Sequence, residues 1–74
     1  MIVPVKDLVR VGQGYKYHIK GGGYIESRGY LTLCGLSYDS EVNEPGLLAI
    51  TEANPDLCYY CRKAKRKEVK DLLK

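Results

Sequence analysis

A chain of 74 residues with a formal net charge of +3 is one domain at most, and it buries so small a fraction of its surface that domains of this size often rely on a metal, disulfides or a partner. Its three cysteines cannot all pair within one chain, which excludes a purely disulfide framework. The longest uncharged apolar run, "GLLAI", is far too short to cross a membrane.

The first fourteen residues, "MIVPVKDLVRVGQG", fit neither a two-residue nor a helical period, and they predict a short strand or helical turn ending at Gly12 and Gly14. "YKYHI", residues 15–19, alternates aromatic and polar side chains as a strand does. The glycines of "KGGG" are expected to break that strand as a flexible turn. "GYIESRGYLTLCG" reads as one strand bent at Gly29 or as two short ones, with "YLTLC" the stronger half. "SYDSEVNEPG" is a polar loop, and "LLAIT", residues 47–51, a mostly buried strand.

The best-marked element follows. Asn54 is a good N-cap, Pro55 suits the first helical position, and Asp56 complements the helix dipole. At 100° per residue Leu57, Cys58, Cys61, Ala64, Val69 and Leu72 fall within about 140° of one face, with Arg62, Lys63, Arg66, Lys67, Lys70 and Lys74 opposite. The positive charge belongs to this segment: residues 62–74 carry seven basic side chains against Glu68 and Asp71, whereas residues 1–61 carry five basic and seven acidic ones.

Cys58 and Cys61 stand one helical turn apart, so both thiols project from one face of the first turn. The helix start, Arg62 and Lys63 all favour thiolate. A structural zinc site needs four ligands. The other strong ligands in the chain are Cys34, followed by a glycine as in turns that aim backbone amides at a metal-bound sulfur, and the single histidine, His18. Together His18, Cys34, Cys58 and Cys61 make one Cys3His set for Zn2+. Two other readings stand beside it: Cys34 as a plain core residue with His18 on the surface, or Cys58 and Cys61 as a redox pair. Nothing in the N-terminal residues resembles a signal peptide, since Pro4 and charges interrupt them. A cytoplasmic protein is therefore expected, in a reducing compartment where cysteines more often hold metal.

"YHI" with His18, "LTLCG" with Cys34 and Gly35, and "LCYYCRKA" with Cys58 and Cys61 resemble a pattern found in short proteins encoded by phages, plasmids and other mobile elements, especially of Gram-positive bacteria. The resemblance covers residues 15–66 and implies a zinc-ribbon or treble-clef-like site with those four ligands. The expected fold class is a small α+β domain over residues 1–74, a short antiparallel sheet and a C-terminal amphipathic helix around one structural zinc.

Catalysis is not expected. Hydrolytic zinc sites keep one position for water, whereas four strong ligands close the site. No Ser-His-Asp set can be drawn, and "KGGGY" lacks the ending of a phosphate loop. The expected function is binding. Arg62, Lys63, Arg66, Lys67 and Lys70 could meet the phosphates of a nucleic acid, with Tyr59 and Tyr60 as stacking surfaces. The alternative partner is a host protein, which a phage-encoded factor would modulate or inhibit, with the acidic loop "YDSEVNEPG" as a second patch. A helix face charged for solubility alone is the third reading.

Overall fold

In the computed structural model, which describes residues 1–72, the chain is a small mixed α+β fold with two antiparallel sheets and one C-terminal helix. The N-terminal fourteen residues use both forms that their pattern permits. Strand β1 (Ile2–Pro4) passes through a single 3-10 turn (Val5–Asp7) into β2 (Leu8–Arg10). The remaining strands are β3 (His18–Ile25), β4 (Gly29–Thr32), β5 (Ser40–Glu41) and β6 (Ala49–Thr51), and the helix is α1 (Tyr59–Leu72). One sheet pairs β1 with β6; the other runs in the order β4-β3-β2-β5.

The pleat sorts the side chains. Val3 pairs with Ile50 and both are buried, while Ile2 and Thr51 take the opposite face. Val3, Leu8, Tyr17, Ile19, Val42, Ile50 and Leu57 join Cys58 and Cys61 in one cluster between the sheets and the start of the helix. Val42 lies in the segment expected to be a polar loop. Its amide donates to the Leu8 carbonyl at 3.4 Å, and its side chain is buried, so one apolar residue among polar neighbours is what ties that loop down.

Two expectations about local structure are corrected. The glycines of "KGGG" do not end a strand: they lie inside β3, where the register with β4 shifts between Lys20 and Gly23. A bulge of this kind keeps the strand paired while re-aiming it. Gly21 is required there because a Cβ would stand 2.8 Å from the Thr32 carbonyl oxygen. The strands β3 and β4 then form a hairpin across Glu26, Ser27 and Arg28, closed by the Arg28 amide donating to the Ile25 carbonyl at 2.9 Å.

The helix also starts later than its cap signals suggest. Asn54 Oδ1 accepts from the Asp56 amide at 2.8 Å, and the Asn54 carbonyl accepts from the Leu57 amide at 3.1 Å, so Asn54 and Pro55 form a side-chain-closed turn. Tyr17 then captures the segment in a parallel bridge. Its amide donates to the Asp56 carbonyl at 2.7 Å, and its carbonyl accepts from the Cys58 amide at 2.8 Å. Those tertiary bonds, together with burial of Leu57, hold Leu57 in a bridge outside the helix, which begins at Tyr59 with the Cys58 carbonyl accepting its first bond from Arg62.

Candidate metal centre

Each of the four expected ligands reaches the centre from a different local device. His18 opens β3 beside the Tyr17 bridge, and Cys61 follows in the first turn of α1, one turn beyond Cys58 at its threshold. Cys34 sits on a tight turn after β4. There the Gly35 amide donates to the Thr32 carbonyl at 3.0 Å and the Thr32 amide to the Leu36 carbonyl at 2.8 Å. Gly35 adopts φ +89, a left-handed conformation that glycine enters without a Cβ penalty.

The donor atoms of His18, Cys34, Cys58 and Cys61 all lie within 4.8 Å of one another and could hold a metal ion. His18 Nδ1 is 3.5 Å from Cys34 Sγ and 3.7 Å from Cys61 Sγ, and the sulfurs of Cys34 and Cys58 are 4.0 Å apart. A tetrahedral ion with sulfur bonds of about 2.3 Å and nitrogen bonds of about 2.0 Å puts sulfurs about 3.8 Å apart and sulfur about 3.5 Å from nitrogen. The spacing therefore fits one small tetrahedral ion with no ligand brought from elsewhere.

The electrostatics fit a cation as well. Burial pushes the Cys61 thiol up to about 12, against the pull of the Ile19 amide, which donates to its sulfur at 3.4 Å. A lone thiolate is thus costly at that position, and a bound cation is what would make it stable. Burial also raises Cys34, but hydrogen bonds from Thr32, from its neighbours Cys61 and Cys58 and from the Leu36 amide outweigh it, and its pKa is lowered on balance. Burial lowers His18, holding the imidazole in the neutral form that ligates.

Thr32 is the residue that pattern reading did not single out. It is buried, and its Oγ1 accepts from the Leu36 amide at 3.1 Å, which leaves its hydroxyl hydrogen free for Cys34 Sγ, also at 3.1 Å. Outer contacts of this kind orient metal ligands. The Thr directly before "LC" was visible in the sequence, but its role depends on how the turn folds back.

The expected partner-binding residues are distributed over two grooves and the exposed side of the helix. Tyr59, Tyr60 and Arg62 line a cleft of about 470 Å³ together with Lys16, Asn54, Pro55 and Cys58. The two tyrosine rings meet edge to face at 5.4 Å, and the Arg62 guanidinium lies over Tyr59 at 5.3 Å. Arg62, expected to point outward, is half-buried and donates to the Glu52 carbonyl at 3.1 Å. Arg66 is drawn to the same residue, its Nε 2.7 Å from Glu52 Oε2, and it lines a second groove with Lys70. Lys63 and Lys67 stand exposed on the helix, and Lys74 lies outside the described residues.

On the opposite face Leu57, Cys58 and Cys61 are buried as expected, but Val69 is 41% exposed and Leu72 79%. Past Ala64 and Lys65, which are half-buried, the apolar stripe of the helix is only partly covered by the described residues.

No family model, no curated protein and no solved structure matches the chain. No helix among the described residues is long and apolar enough to cross a membrane.

Proposed function

We propose that this chain is a small non-enzymatic zinc-binding module, of the zinc-ribbon or treble-clef-like kind found in short phage- and plasmid-encoded proteins, which works in the cytoplasm by binding nucleic acid. Zinc is the natural occupant of a partly buried Cys3His set, and bound there it would supply folding free energy and neutralise the thiolates. With four strong donors in one tetrahedron no position is left for a reacting water, which supports binding over catalysis.

The observation that carries the reading is the double role of Cys58. It is a ligand of the centre and also a wall of the cleft formed by Tyr59, Tyr60, Arg62 and Lys16. Holding the centre closed therefore fixes two exposed aromatic rings beside cationic side chains, with Lys63 and Lys67 on the following turns. Aromatic faces stack bases and cations meet phosphates.

The test is a mobility shift with single-stranded and duplex oligonucleotides, titrated against salt. The metal-loaded chain shifts an oligonucleotide at low salt with a steep salt dependence. Tyr60→Ala together with Lys63→Ala and Lys67→Ala weakens binding and flattens the salt slope while the melting temperature stays put, because exposed charges contribute little to stability. No shift at low salt removes the nucleic-acid reading.

A further inference from the structure

The second groove belongs to neither the metal centre nor the tyrosine cleft. It is a cavity of about 490 Å³ between β1 and the second half of α1, lined by Met1, Ile2, Glu52, Lys65, Arg66, Val69 and Lys70. Its floor is aliphatic. Ile2 is 72% exposed because the pleat that sends Val3 into the core turns Ile2 the other way, and Val69 faces it from the helix. The next apolar residue on that stripe, Leu72, continues the uncovered surface.

Its rim is cationic. The groove contains one carboxylate, Glu52, already engaged by Arg66 at 2.7 Å and by the Met1 ammonium at 3.8 Å. Lys65 makes only a long 3.9 Å contact with Glu68 on its own helix, and Lys70 has no carboxylate partner among the described residues. Floor and rim together ask for a ligand that is apolar in its middle and negative at its edges. The floor offers no aromatic face for a base to stack on, and an aliphatic cleft is filled by aliphatic side chains.

We infer that the α1–β1 groove docks an acidic amphipathic segment of a partner protein. Its apolar side chains seat on Ile2 and Val69, and its carboxylates meet Lys65 and Lys70. The mode is a helix laid in a groove, with apolar anchors spaced by one turn. Complementary charge at such a rim sets partner choice and encounter rate, while the anchors supply affinity. The inference stands independently of the nucleic-acid reading, which rests on the other cleft.

The test uses the full metal-loaded chain and a synthetic helical peptide of about four turns, with Leu along one face and Glu on the other. A second peptide carries Lys in place of every Glu. Backbone amide resonances are followed during titration. The acidic peptide moves the signals of Ile2, Lys65, Val69 and Lys70, the basic peptide moves none, and Val69→Glu weakens binding at least about tenfold. Because Val69 is exposed, that variant keeps the signals of residues around His18 and Cys34 in place. Four results overturn the inference: no shift at millimolar acidic peptide, undiminished binding by Val69→Glu, displacement of the same signals by an oligonucleotide rather than the peptide, or a dimer of the free chain that Val69→Glu dissolves.

Discussion

Metal ligation at the scale of single residues depends on groups that are not ligands. The Thr32 hydroxyl touches Cys34 Sγ and closes the turn through the Leu36 amide. Thr32→Val keeps the shape and removes both bonds, leaving the Leu36 amide without its side-chain partner. That costs about 0.5–1.5 kcal/mol of stability, and loss of such an outer contact lowers metal affinity by about 10- to 100-fold. A chelator competition set beside thermal melting measures both effects; unchanged metal affinity would reduce Thr32 to a turn residue. Glu52 offers a second check. Hydrogen bonding and charge from Arg66 lower its pKa below the ordinary 4.5, with help from the N-terminus and Arg62. A depressed carboxylate contributes stability that is present above 4.5 and fades as pH falls through the lower folded value. Its carboxyl resonance therefore titrates below 4.5, and Arg66→Ala returns the midpoint toward that value. The cluster of His18, Cys34, Cys58 and Cys61 was legible in the sequence because each is a scarce residue type: three cysteines and one histidine leave a single way to fill four positions. Thr32 and Glu52 were not legible, since threonine and glutamate acquire these roles only through long-range folding.

Elements show where local signals yield to tertiary bonds. Asn54 and Pro55 are strong helix-start residues, yet the Tyr17 bridge holds Leu57 out of the helix, which begins at Tyr59. Without a partner strand in view, the sequence could only point to the nearest cap. The "KGGG" stretch misleads for a related reason. Glycines usually mark turns, but Gly21 is there for the approach of the Thr32 carbonyl across a bulged pair. Gly21→Ala forces the backbones apart next to the turn that carries Cys34, a clash costing about 1–3 kcal/mol, and it should weaken metal binding as well. Gly23→Ala, with nothing within 4 Å of the added Cβ, serves as the control and should leave metal affinity unchanged. Equal loss in both variants would mean that the glycines act through chain flexibility and that the close approach is irrelevant. The amphipathic pattern of α1 was read correctly as a pattern. Its apolar face over Val69 and Leu72 nonetheless meets solvent, because a period in the sequence says which side is apolar and not what covers it.

The whole molecule shows what a metal ion would add here. The apolar cluster that joins the two sheets to α1 is small, and two of its members, Cys58 and Cys61, belong to the centre. The centre draws its candidate ligands from β3, from the turn after β4 and from the start of α1, so one ion would cross-link three parts of the chain, adding to the β3–β4 ladder and the Tyr17 bridge that already join them. In small metal domains the binding free energy of the site is folding free energy. The fold class was accessible from strand and helix patterns, whereas the split into two sheets was not, since β1 and β6 are 3 residues each and their pairing joins segments far apart in the sequence. The measurement that bears most directly on the account is the metal content of protein purified without chelator, determined by elemental analysis and followed through a melting experiment before and after metal removal. The account predicts one tightly held zinc per chain and loss of the cooperative transition once it is stripped. A zinc content well below one equivalent in a chain that still melts cooperatively at the same temperature would contradict it.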